Sequence, residues 1–208
     1  MIAIVDYGVG NLFSLACSFK AVGAEAVVTG DADEIRAADR VVLPGVGAFG
    51  DAAKKLRESG LGAVIREHAA EGKPLLGVCL GMQLLFDRSR EYGEHEGLGL
   101  IPGEIVPIAS ALPEGADLKI PQIGWNALRF PAGKPKSRLF AGISEGDCVY
   151  FVHSYYAATE PQYVSAYTEY GAELTASAER GSVYGMQFHP EKSGRVGLAI
   201  LSAFAELK

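Results

Sequence analysis

Three residues of this sequence have the types and spacing for nucleophilic acyl chemistry: Cys79, His189 and Glu191. Cys79 stands in "KPLLGVCLGMQLLF", at the centre of Gly77-Val78-Cys79-Leu80-Gly81. The apolar run before it reads as a buried strand, and a helical apolar pattern follows at once. Gly-x-nucleophile-x-Gly between strand and helix is the pattern of a nucleophile elbow, a turn so sharp that flanking side chains would collide. A thiol there sits at the carboxyl edge of a sheet, where open α/β sheets bind ligands. It also sits at a helix N-terminus, whose partial positive charge favours the reactive thiolate. The N–H of Leu80 is then placed to meet a developing oxyanion. The plainer alternative is a small buried hydrophobe, a common fate of cysteine.

A thiol nucleophile needs a base, and the base needs an orienting partner. His189 lies in "YGMQFHPEKSG", directly after an apolar strand. Pro190 restricts it to extended backbone. In an extended segment, residues two apart project to one side, which places Glu191 beside the ring. The alternative is a solvated His–Glu pair on a surface loop. Of the other histidines, His68 and His95 lie in charged stretches and read as solvated, whereas His153, in "YFVHSYY", reads as a core or interface residue. Cys17, inside an apolar helix, and Cys148, at a strand start without flanking glycines, read as buried.

The elements needed to hold these groups are legible in the first half. "IAIV", "EAVVT", "RVVLPGVG" and "PLLGV" read as strands. Between them lie a helix with Asn11 as N-cap and Gly23 past its end, an acidic helical piece from near Asp31, and a helical region from Asp51 to Glu71 broken near Gly60 and Gly62. Continuous apolar strands alternating with helices imply an open, mostly parallel sheet with helices on both faces. From Gly97 to Tyr184 the pattern is strand-rich and aromatic, and reads as antiparallel strands appended to that sheet. A last helix carries Val196, Ile200, Leu201, Phe204 and Leu207 on one stripe. No linker or repeat interrupts the chain, so residues 1–208 read as a single domain.

The 208 residues are 49% hydrophobic and 21% charged, enough to build a full core without a staple. A net charge of -6 argues against nucleic acid or an anionic membrane as partner. No signal peptide or membrane span is apparent. Three scattered cysteines without metal-ligand spacing suit free thiols in a reducing cytoplasm, and no motif points to a metal or cofactor.

"GVCLGMQ" with "FHPEKS" resembles the class I (triad) glutamine amidotransferases. The fuller set "IVDYGVGNL", "VVLPGVGAFGDA", "GVCLGMQLLF", "GLGLIPG", "IGWN", "YFVHSYY" and "GMQFHPEKS" is most similar to the glutaminase subunits of imidazole glycerol phosphate synthases. The resemblance implies a Cys79-His189-Glu191 triad that hydrolyses glutamine and passes ammonia to a second site. It implies that a peptide flip in Pro44-Gly45-Val46-Gly47 adds an oxyanion donor near Val46 and Gly47 to that of Leu80. It implies that Gly45, Gln83 and the backbone around Tyr150 and Ser177 hold glutamine. It also implies that Asn11, Gly124-Trp125-Asn126, His153 and Lys192 face a partner. From residue type alone, Trp125 reads as core. Too few residues follow Glu191 to build an acceptor site, so the resemblance implies a separate (β/α)8-barrel cyclase chain, as a heterodimer. Two alternatives stay open: the glutaminase partner of a pyridoxal 5'-phosphate synthase, against which "GWN" and the Val46 loop argue, and a non-catalytic regulatory subunit, against which the intact triad argues.

Overall fold

The computed structural model describes residues 1–208. The first half runs β1 (Ile2–Val5), α1 (Leu12–Ala21), β2 (Ala26–Thr29), α2 (Ala32–Ala37), β3 (Arg40–Leu43), α3 (Phe49–Glu58), α4 (Leu61–Ala70), β4 (Leu75–Val78) and α5 (Leu80–Leu84). Strands then dominate: β5 (Phe86–Ser89), β6 (His95–Glu96), β7 (Ile101–Pro107), β8 (Gln122–Ala127), β9 (Cys148–His153), β10 (Tyr155–Ala158), β11 (Val164–Glu169), β12 (Glu173–Arg180) and β13 (Val183–Met186), before the closing helix α6 (Gly194–Ala205).

The central sheet has seven strands in the order β11-β12-β13-β4-β3-β1-β2. Strands β1, β4 and β13 are buried at every position, which explains their unbroken apolar sequences. On one face pack Ile35, Phe49, Leu56 and Ile65 from α2, α3 and α4. On the other, Leu15 and Phe19 of α1 meet Ile200, Leu201 and Phe204 of α6, with the Phe19 and Phe204 rings 6.3 Å apart. Local signals set the helix ends: the Asp31 carboxylate accepts from the N–H groups of Asp33 and Glu34 at 2.8 and 3.0 Å. Gly60, at φ +74°, makes the break between α3 and α4. No helix is long and apolar enough to cross a membrane.

Two expectations change here. Only β11, β12 and β13 join the central sheet, and β13 runs parallel to β4 and lies inside it rather than at an edge. The other late strands form a four-stranded sheet, β10-β7-β5-β6, and a two-stranded ribbon, β8-β9. The apolar run after Cys79 also gives a helix of only five residues. Its carbonyls are claimed by backbone donors from a later loop: Leu98 N–H bonds the Leu84 oxygen, and Leu100 and Ile101 bond that of Leu85. Apolar periodicity in a short run is blind to such long-range competition.

Candidate active site

The elbow forms as its glycines require. Cys79 adopts φ 54° and ψ −112°, a left-handed conformation for a residue with a Cβ, which costs about 1–3 kcal/mol and persists only where its surroundings enforce it. A Cβ on Gly77 would lie 2.7 Å from the Met82 nitrogen, and one on Gly81 would fall inside the Leu43 carbonyl. The turn therefore packs directly against β3 and the first turn of α5. The Cys79 N–H donates to Met186 of β13 at 2.8 Å, and the side chain is nearly buried. Leu80 opens α5, where N–H groups have no helical carbonyl to bond.

His189 follows β13, its N–H held by the Tyr150 carbonyl at 2.9 Å. Its Nδ1 donates to Glu191 Oε1 at 2.8 Å, so Nε2 is the nitrogen left for the thiol. The pairing matches the sequence reading, but its cause differs. Residues 190–192 form a 3-10 turn, so Glu191 swings back to the ring through that turn and not through strand alternation. Asn11 supports the same carboxylate. It stands at the N-cap position of α1 but caps nothing; its Nδ2 donates to Glu191 Oε1 at 3.2 Å.

Burial by itself would depress the His189 pKa. Hydrogen bonding to Cys79 and Glu191, together with the charges of both, outweighs this and raises it to about 9. With the pKa raised, the imidazolium and its stabilisation are complete below about 6.5, the ordinary histidine value, and are lost as pH climbs through about 9. A reaction at this thiol is therefore expected to lose its proton donor with a midpoint near pH 9, which a pH profile of kcat/KM will show. A midpoint near 6.5 would remove the imidazolium from the mechanism.

A cleft of about 300 Å³ opens over Cys79 and His189, walled by Val46, Gly47, Leu80, Gln83, Glu91 and Tyr155. Another cavity, of about 210 Å³ between α3, α4 and Leu98, contains neither thiol nor histidine. Val46 is exposed, and Gly47 adopts φ +95°, a conformation that glycine takes without strain. Gly45 lies beneath the loop rather than in the cleft wall; a Cβ there would sit 2.7 Å from the Gly81 nitrogen.

Several expected site residues are placed elsewhere. The Ser177 hydroxyl is buried within the sheet, donating to Gly185 at 2.7 Å and accepting from Ser165 at 2.9 Å, and it does not line the cleft. Tyr150 contributes its carbonyl to His189, but its ring faces outward against Trp125, 6.1 Å away. Trp125 is 55% exposed, contrary to the core expectation. In the β8-β9 ladder Trp125 pairs with Tyr150 and Gln122 with His153, so alternation puts Asn126 and His153 on the opposite face from Trp125. Asn126 bonds the Glu169 carbonyl, while His153 is buried in the cleft wall. Its pKa is pushed down to about 4, chiefly by burial, despite its bond to the Tyr155 carbonyl. Lys192 is exposed, with Nζ 5.8 Å from the Tyr150 ring centre.

Other readings from residue type fail for local reasons. Cys17 and Cys148 are exposed, not buried: the buried stripe of α1 is Leu15 and Phe19, four apart, and Cys17 lies between them on the far side. Cys148 starts the β9 edge of the ribbon. His68 is buried, its Nε2 facing the Pro74 carbonyl at 3.2 Å, where a solvated ring was expected.

Three residues in or beside the cleft escaped the sequence reading. Glu91 lines the cleft and accepts the Phe49 N–H at the start of α3 at 2.5 Å. Tyr7 donates its hydroxyl to the Pro44 carbonyl at 2.8 Å, tethering the base of the Val46 loop. Gln187 places its amide nitrogen 3.8 Å from Cys79 Sγ. Only Gln187 carried a signal, because alternation from His189 puts it on the same side of the chain.

The class I glutamine amidotransferase family model matches residues 3–206. The chain is 51% identical to the HisH subunit of imidazole glycerol phosphate synthase from Moorella thermoacetica, covering 99% of this chain and 94% of that one. It is 50% identical to the HisH subunit from Aquifex aeolicus, covering 97% and 94%. Among solved structures it resembles a glutamine amidotransferase with TM-score 0.74 at 19% identity, covering 100% of both chains, and PurLQS from Thermotoga maritima, also at 0.74 and 19%, covering 98% and 96%. Those two likenesses speak to the fold, but identity near one half across almost the whole length speaks to kinship, and the chain belongs to the class I glutamine amidotransferases, within the HisH glutaminase subunits of imidazole glycerol phosphate synthase.

Proposed function

We propose that this chain releases ammonia from glutamine at Cys79 and delivers it to a cyclase chain that makes imidazole glycerol phosphate for histidine biosynthesis. The observation that carries the reading is the strained Cys79 elbow opening into one cleft with the His189–Glu191 pair. The thiolate attacks the side-chain amide carbon of glutamine. The negative oxygen that forms is met by the N–H of Leu80 and by one from the Gly45-Val46-Gly47 loop. As the C–N bond breaks, imidazolium Nε2 gives its proton to the departing ammonia. The neutral ring then takes a proton from water, whose oxygen attacks the thioester and frees glutamate and the thiolate. Glu191, held by Asn11, keeps the ring in the required tautomer. Glu91 supplies the negative charge on the cleft wall that suits the α-ammonium of the substrate, and Gln83 offers its amide oxygen.

For the partner, the outer face of the ribbon is the surface best suited to docking. Ile123 is 60% exposed and Trp125 55%, beside Tyr150 and Lys192. An apolar patch rimmed by a cation is the kind of surface that marks a protein–protein contact. Trp125 is the only tryptophan, so its emission reports this face alone. Adding the cyclase is expected to change that emission saturably; a silent titration at saturating cyclase would move the interface elsewhere. The functional test uses the same mixture. Glutamine hydrolysis should rise when the cyclase and its acceptor substrate are both present. Hydrolysis indifferent to both, or stimulated instead by a pyridoxal phosphate synthase partner, would overturn the proposal.

A further inference from the structure

We infer that Gln187 is a catalytic residue whose amide N–H stabilises the Cys79 thiolate; this rests on the reading of Cys79 as the nucleophile. Gln187 is fully buried, one residue beyond β13, and its Nε2 lies 3.8 Å from Cys79 Sγ. The direction of that bond is fixed by a chain of contacts. The Tyr155 carbonyl can only accept, so the amide that faces it at 3.2 Å, that of Gln83, must present its nitrogen. The same nitrogen lies 3.0 Å from Gln187 Oε1 and has a second hydrogen to give. The Gln187 oxygen is thereby turned toward Gln83, and its NH2 group is turned toward the sulfur. A flipped Gln187 amide would set nitrogen against nitrogen on one side and oxygen against sulfur on the other.

The arrangement is built for an anion. A neutral thiol gains little from a weak N–H···S contact, whereas a buried thiolate needs donors to replace water. The other groups facing Cys79 divide by role. His189 supplies the counter-charge; Tyr7, on the loop after β1, spends its hydroxyl on Pro44; Glu91 and His153 occupy the cleft walls. Gln187 is the uncharged side-chain donor on the sulfur, and it stays a donor at every working pH. Its contribution does not depend on the proton carried by His189, and it is available when the sulfur leaves the thioester as an anion.

The test is the pH dependence of iodoacetamide alkylation at Cys79. It is run on the complex with the cyclase, with Cys17→Ser and Cys148→Ser in the background because both of those thiols are exposed. Gln187→Met keeps the bulk and removes the donor. The alkylation midpoint is expected to rise by about one pH unit, and kcat/KM for glutamine to fall about tenfold or more, the scale of a hydrogen bond to a charged group. Co-elution of the variant with the cyclase on size exclusion should be retained, which shows an intact complex. Gln83→Met, which frees the Gln187 amide to turn, should shift the midpoint the same way by less, and it decides the matter if Gln187→Met does not fold. An unchanged midpoint in the folded variant overturns the assignment, as does lost activity at an unchanged midpoint, which would make Gln187 structural. Failure of the nucleophile reading looks different, since Cys79→Ala would then leave glutamine hydrolysis intact.

Discussion

Cys79→Ala should abolish glutamine-dependent synthesis by the complex while leaving synthesis from added ammonia near its original rate. The loss should be on the order of 10⁴-fold or more, because removing a nucleophile removes the covalent route and leaves only binding and oxyanion donors. The fold should tolerate the change. Alanine deletes one sulfur from a nearly buried position and keeps the Cβ that the strained backbone already accommodates. Ammonia-dependent synthesis is the decisive control, since it uses the cyclase site and needs no thiol. If both activities disappear together, the division of labour between the chains is wrong. If glutamine still supports synthesis, Cys79 is not the nucleophile.

The second large effect is structural. Gly81→Ala would drive a methyl group into the backbone carbonyl of Leu43, between the elbow and β3. The obstacle is main chain at the centre of the sheet, with no flexible side chain to yield. The expected cost is about 3 kcal/mol or more, at or above the upper end for overpacked cores. Hydrolysis should suffer further, because Leu80 and the Val46 loop meet at this contact. Gly142→Ala is the matched control: nothing lies within 4 Å of its added Cβ and its φ is not positive. It should stay within about 1 kcal/mol of the parent. Denaturant or thermal unfolding of the two variants reads the difference. Equal stabilities would mean that the elbow is not packed as described.

The parallel half of the fold was readable because its causes are local: short apolar runs, Asp31 as a cap and Gly60 as a break all act within a few residues. The proposed triad was readable for the same reason, since Gly77-x-Cys79-x-Gly81 and His189-Pro190-Glu191 are compact signatures. The rest depends on register and distant partners. Alternation in a ribbon, not residue type, decided that Trp125 faces solvent and His153 the cleft. The early end of α5 depends on donors from residues 98–101. Glu91, Tyr7 and Asn11 act through partners that no spacing rule predicts, and Asn11 reaches Glu191 across 180 positions.

The placement of β13 has a kinetic consequence. It is nearly the last strand in the chain, yet it fills an interior slot between β12 and β4 and holds the Cys79 N–H. Until the ribosome has delivered residues 183–193, the elbow lacks its neighbouring strand and the sulfur has neither His189 nor Gln187 beside it. Closing so long a span is slow relative to local helix formation. A nascent chain therefore carries its thiol without these neighbours, and they arrive in a late step that also completes the sheet.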